Sequence, residues 1–188
     1  MARLEKDTII PCTTAYLEAF PLAREDAARA LGCFPEVADL ARKLLARWPV
    51  RAFGPQRLWF PEDGLCLTVH IGDAATVLPD LEGAFDAWFL DGFAPARNPA
   101  MWSPDVLRNV ARLSAPGARL ATFTVAGQVR RELESAGFRV EKKPGFGAKR
   151  ERLEAVFVST AARSAPPSPP GRVAIVGAGI AGAACAQA

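Results

Sequence analysis

Residues 88–99 read WFLDGFAPARNP. With the residues just before them they complete 84–90, AFDAWFL, a segment apolar on both faces apart from Asp86. That pattern predicts a central strand of a parallel sheet, covered on both sides by other elements. The strand stops at Asp91, and Gly92, Pro95 and Pro99 then turn the chain. Open α/β sheets bind ligands beyond the carboxyl ends of their strands, near the point where strand order reverses. A carboxylate ending a buried central strand stands in that place, so Asp91 is the first candidate catalytic residue. The competing reading is that Asp91 only caps the turn after it.

The flanking segments build the same architecture. Residues 65–71 (LCLTVHI) alternate, with Leu65, Leu67, Val69 and Ile71 on one face, and predict a strand; Gly72, Asp73 and a short helix through Val77 and Leu78 follow. Ser103 and Pro104 supply an N-cap and a favoured first helical position, opening a helix through Val106, Leu107, Val110 and Leu113. Pro116 and Gly117 close that connection, and 119–125 (RLATFTV) predicts a further strand. A helix over 127–136 stops at Gly137. Two last strands, 138–140 and 153–158, are joined by too short a segment for a crossover helix and should be antiparallel. Upstream, YLE (16–18) predicts a strand and 22–31 a short helix. Residues 35–48 predict a longer helix with Val37, Leu40, Ala41, Leu44, Leu45 and Trp48 on its apolar face. The fold class is α/β: a mostly parallel sheet ending in an antiparallel hairpin.

Half of the 188 residues are hydrophobic, enough for one core of ordinary size. No apolar run approaches the roughly 20 residues of a membrane span, and MARLEKDTIIP lacks the apolar middle of a signal peptide. A cytoplasmic protein with no membrane partner is expected. The four cysteines (Cys12, Cys33, Cys66, Cys185) include no C-x-x-C pair, which argues against a disulfide framework and a zinc site. His70 is the only histidine, which argues against His-based metal clusters and Ser-His-Asp chemistry, and it is read as decorating a strand face; no metal is expected. The net charge of +3 is uneven: residues 126–158 carry 8 basic and 5 acidic groups, whereas 1–125 carry 13 and 15. A basic C-terminal third is compatible with a polyanionic partner.

After residue 158 the composition changes to STAARSAPPSPPGR, whose Pro166, Pro167, Pro169 and Pro170 predict a stiff extended linker. VAIVGAGIAGAACAQA follows, with Gly177, Gly179 and Gly182 in the G-x-G-x-x-G spacing of a dinucleotide fingerprint. The expected organisation is therefore an atypical N-terminal segment (1–14), a partial α/β domain (15–159), a Pro-rich linker (160–172) and the truncated start of a dinucleotide-binding domain (173–188).

Five stretches occur in order: YLEAFPL (16–22), GDA (72–74), FLDGFAPARNPAMW (89–102), LATFTVAGQVRREL (120–133) and KPGFGAKRE (143–151). On these the chain resembles the MnmC family, bifunctional tRNA 5-methylaminomethyl-2-thiouridine biosynthesis proteins. The resemblance implies an incomplete Rossmann-like fold of the S-adenosylmethionine (SAM)-dependent methyltransferases, a linker, and the first strand-turn-helix of an FAD-binding Rossmann domain. It implies SAM as cofactor, FAD in the full-length parent, and methylation of the amine of 5-aminomethyl-2-thiouridine at the tRNA wobble position. Residue by residue it implies Asp91 as catalytic group and Glu18, Asp73, Asp91 and Gly92 at SAM. Phe93, Pro95, Asn98 and Trp102 would wall the pocket for a flipped base. Phe146, Lys149 and Arg150, within a basic segment that includes Lys142, Lys143 and Arg152, would meet the anticodon stem-loop. Gly177, Gly179 and Gly182 would open an incomplete FAD site. Residues 1–14 contain no glycine, whereas the family cradles SAM with a Gly-rich loop upstream of the segment matching YLEAFPL. A truncated chain with an apolar sheet edge is thus expected, and two other readings stay open: a catalytically inactive fragment with residual tRNA binding, and a fragment of an FAD-dependent oxidoreductase.

Overall fold

The greasy segment before Asp91 forms a strand, Phe85–Leu90, in the interior of the sheet. The computed structural model describes residues 12–18, 22–50, 52, 54–145, 150–158 and 172–176. Its strands are β1 (Cys12–Glu18), β2 (Gly54–Phe60), β3 (Leu65–Ile71), β4 (Phe85–Leu90), β5 (Ser114–Thr122), β6 (Phe138–Pro144), β7 (Glu151–Phe157) and β8 (Arg172–Val176). Its helices are α1 (Arg24–Leu31), α2 (Ala38–Ala46), α3 (Ala74–Val77), α4 (Pro104–Arg112) and α5 (Gly127–Ser135). All eight strands belong to one sheet, ordered β2-β3-β1-β8-β4-β5-β7-β6. The inner five, β3, β1, β8, β4 and β5, are parallel, while β2, β7 and β6 make antiparallel pairs at the two flanks.

The parallel centre and the antiparallel β6–β7 pair match the sequence expectation. Three features differ from it. The sequence pattern predicts no element over 54–60, yet β2 pairs antiparallel with β3 along its whole length. Pro55 masks it in the sequence, and a proline is tolerated because β2 lies at the sheet edge. Gly64, at φ 61°, makes the left-handed turn that closes this hairpin. Secondly, Pro116 and Gly117 lie inside β5: its register with β4 shifts between Phe85↔Ser114 and Ala87↔Arg119, so the pair sits in a bulge. The strand also ends earlier than expected, at Thr122, where the hydroxyls of Thr122 and Thr124 accept the amides of Thr124 (3.3 Å) and Ala126 (3.4 Å) and draw the backbone out of the ladder. Thirdly, Leu40 is 43% exposed although the helical spacing puts it on the apolar face; Ala41 takes the buried position.

The core gathers Trp88, Leu90, Leu107, Val110, Leu120, Val129 and Leu133 from β4, α4, β5 and α5. Helix α4 buries Val106, Leu107, Val110 and Ala111, a stripe one turn apart, and starts as expected with the Ser103 hydroxyl accepting from the Val106 amide at 3.4 Å. Trp88 is 1% exposed and meets the Phe85 ring edge-on at 5.2 Å between centroids. Helix α5 ends at Gly137 with φ 102°, the stop expected there.

The position of β8 does not follow from the sequence. Residues 172–176, expected to begin a second domain, pair in parallel with β1 on one side and β4 on the other. The apolar edge expected for the sheet is covered there by a strand from the same chain.

Candidate active site

Parallel strands deliver three acids to one edge of the sheet. Strand β1 ends at Glu18, Asp73 stands two residues beyond the end of β3, and Asp91 stands one beyond the end of β4. Leu17 and Leu90 both pair with Val176, so Glu18 and Asp91 leave the sheet on either side of β8. Two strand spacings separate their backbones, about 10 Å. Asp73 also has a structural role, since its carboxylate accepts from the Ala75 amide at 2.7 Å and caps α3. Among the described residues no group of three His, Cys, Asp or Glu side chains gathers to hold a metal ion.

The loop after Asp91 is internally braced. The carbonyl of Ala94 accepts from the amides of Arg97 (2.7 Å) and Asn98 (3.1 Å). The Asn98 side chain accepts from the Met101 amide at 3.4 Å, at the start of the single turn Ala100–Trp102. Trp102 is only 3% exposed, and its indole N–H donates to the Phe93 carbonyl at 2.9 Å. Trp102 thus anchors the loop from beneath, and the ring left for a stacking partner is that of Phe93, 66% exposed, with Pro95 half-buried beside it in the sequence. A Cβ on Gly92 would collide with Met101 Sδ and lie 3.0 Å from its Cε, so a side chain there requires the end of Met101 to move. Met101 does not stand out in the sequence, because nothing in a one-dimensional pattern shows which residue folds back on a glycine.

The basic hairpin is more neutral than its sequence suggests. Lys142 pairs with Glu151 at 3.0 Å, Lys143 with Glu141 at 2.6 Å, and Arg152 with Glu154. The hydrogen bond and charge of Lys143 hold the Glu141 carboxyl below its usual range, and Glu141 raises Lys143 in return. Arg150 is exposed. Phe146 and Lys149 lie outside the described residues, as do Gly177, Gly179 and Gly182; of Glu18 only the backbone position is described. His70, on β3, is partly buried, and loss of solvent keeps its imidazole below the ordinary 6.5. Arg112 likewise carries no signal in the sequence: its guanidinium donates to the carbonyls of Leu78 (2.8 Å) and Leu81 (3.1 Å), tying the segment before β4 to the end of α4.

A sheet with a parallel centre and an antiparallel flank is the arrangement of the Rossmann-like methyltransferase fold. The family model described as "S-adenosyl-L-methionine-dependent methyltransferase" matches residues 35–157, and the chain belongs to that family. Over 172 residues it is 53% identical to the "tRNA 5-methylaminomethyl-2-thiouridine biosynthesis bifunctional protein MnmC" of Maricaulis maris, covering 92% of this chain and 29% of that protein. The protein of the same name from Pseudomonas savastanoi pv. phaseolicola is 45% identical over 184 residues, covering 91% and 28%. The chain therefore spans under a third of these relatives, and the resemblance read from its five motifs is met by them. The solved structure of MNMC2 from Aquifex aeolicus superposes with a TM-score of 0.55 at 22% identity, over 86% of this chain and 57% of that one, and so shares the fold.

Proposed function

We propose that this chain transfers a methyl group from SAM to the primary amine of 5-aminomethyl-2-thiouridine at the wobble position of tRNA, in the cytoplasm, as the methyltransferase part of a bifunctional protein. The observation that carries this is Asp91, set at the carboxyl edge of β4 in a chain 53% identical to an MnmC protein over 172 residues.

The residues fit SAM by their chemistry: carboxylates at Glu18 and Asp73 suit hydroxyl and amino donors such as those of a ribose and an adenine. Bound SAM would supply an electrophilic sulfonium methyl. The substrate amine, like a lysine side chain, titrates near pH 10.4 and at pH 7 carries a proton that blocks its lone pair. Asp91 accepts that proton or orients the neutral amine, and the braced loop with Gly92 keeps the carboxylate in place. Phe93 stacks on the base, with Pro95 and Asn98 shaping the wall and Trp102 fixing the loop. Phe146, Lys149 and Arg150 contact the anticodon stem-loop. In the longer protein Gly177, Gly179 and Gly182 open the FAD domain that the resemblance implies.

The test is transfer of labelled methyl from SAM to tRNA bearing the aminomethyl nucleoside. Asp91→Asn should lower kcat by about 10²- to 10⁴-fold near pH 7. The loss should shrink toward pH 10, where the free amine no longer needs a base. An Asp91→Asn protein with the unaltered rate at pH 7 would defeat the assignment.

A further inference from the structure

Asp73 and Asp91 stand just beyond the carboxyl ends of β3 and β4. A tRNA, charged at every phosphate, approaches that edge against them, and at physiological salt such repulsion reaches about 8 Å. Cations beside the pocket are needed to offset it. The hairpin that looks basic in the sequence offers little, since Lys142, Lys143 and Arg152 are each held by a carboxylate.

Two arginines on neighbouring connections are placed differently. Arg97 follows β4, in the braced loop that also presents Phe93; its amide donates to the Ala94 carbonyl at 2.7 Å, and its side chain is exposed. Arg131, also exposed, lies on α5, which follows β5, the strand paired with β4. Its Nη1 would lie 3.4 Å from a Cβ on Gly127, so the guanidinium folds back over the first turn of the helix, the turn nearest the end of β5. The ends of β4 and β5 are one strand spacing apart, about 5 Å. Arg150 continues the line, exposed at the start of the next strand, β7, which runs antiparallel to β5 and so begins at this edge.

Neither Arg97 nor Arg131 has a carboxylate partner among the described residues. Other exposed helical arginines do: Arg29, Arg42, Arg108 and Arg130 pair with Asp26, Asp39, Asp105 and Glu134, three or four positions away. Glu134, within reach of Arg131, is taken by Arg130, and no acid lies within four residues of Arg97. Arg57, Arg119 and Arg139 also lack a partner, but they stand within β2, β5 and β6 and not beyond a carboxyl end. A guanidinium left without an acid is suited to phosphate, which it can grip with two parallel hydrogen bonds.

We propose that Arg97 and Arg131 hold backbone phosphates of the tRNA beside the nucleotide that enters at Phe93. The proposal rests on tRNA being the substrate, and it adds to the hairpin contacts a grip on the loops after β4 and β5. Phosphate contacts fix register without reading bases, so the two arginines position the wobble nucleoside while Phe93 meets its base.

Filter binding of the full chain to a tRNA transcript at several salt concentrations tests the pair. Arg97→Gln and Arg131→Gln should each weaken binding about threefold to tenfold and lower the slope of log K against log salt by about 1, with little change in melting temperature. Arg139→Gln removes the same charge near the opposite edge of the sheet and should change affinity by less than about twofold. Site variants that bind like the unaltered protein, while methyl still reaches the tRNA, overturn the pair and leave methyl transfer standing. Equal losses in all three variants also overturn it, since net charge alone would then set affinity. Polyglutamate bound as tightly as the transcript would make the partner an acidic protein and overturn the assignment to RNA. Binding that both site variants weaken, in a chain that transfers no methyl group, supports the pair and counts against the methyltransferase reading. An unaltered chain that binds no tRNA overturns the pair.

Discussion

Trp102→Phe isolates the brace that holds the loop after Asp91. The phenyl ring keeps most of the buried apolar surface, but the indole N–H that donates to the Phe93 carbonyl at 2.9 Å is lost. That bond is partly buried, and its net loss is about 1 kcal/mol. The missing ring atoms leave a void in a site that is 3% exposed, for about another 1 kcal/mol. Together the change is about 2 kcal/mol, which at a urea dependence of about 2 kcal/mol/M lowers the unfolding midpoint by about 1 M. Urea unfolding followed by far-UV circular dichroism measures it. The same variant should raise KM for the tRNA substrate, because Phe93 is presented by the carbonyl that Trp102 holds. A midpoint within about 0.2 M of the unaltered protein would refute the reasoning, since it would mean that neither the hydrogen bond nor the packing contributes.

Gly92→Val should destabilise by about 2 kcal/mol, because its side chain meets Met101, and Met101→Ala in the same chain should recover most of that; a double-mutant cycle reads the coupling. Burial keeps folded His70 less basic than in the unfolded chain, so the unfolded state takes up the proton first as pH falls through 6.5. Stability should therefore decline as pH falls below about 6.5, and His70→Gln should flatten that decline in urea titrations at several pH values. Removing the carboxylates that pair with the hairpin lysines, by Glu141→Gln with Glu151→Gln, should tighten tRNA binding and steepen its salt dependence, measured by filter binding at several salt concentrations.

Much of the fold is legible in the sequence because its signals are local. Alternation over LCLTVHI, the two-faced apolar run before Asp91, Ser103-Pro104 at a helix start and Gly137 at a helix end each state their structure within a few residues. Pro55 and the Pro116-Gly117 pair mislead because their tolerance depends on where a strand lies, at an edge or in a bulge, which neighbours decide. The site divides in the same way. An acid at the end of an apolar run marks itself, so Asp91 and Asp73 can be named. The burial of Trp102 beneath the loop, the contact of Met101 with Gly92 and the pairing of Lys142, Lys143 and Arg152 depend on side chains meeting across turns and strands.

What the sequence by itself determined is most of the list of elements, β2 apart, and the acids at their ends, since hydrophobic period and capping chemistry act over one or two turns of chain. What only the tertiary structure decided is the company those elements keep. VAIV is apolar throughout and would satisfy any buried parallel position; it joins this sheet because β1 and β4 offer two open parallel edges one strand apart, and their backbone groups are paired only when a strand lies between them.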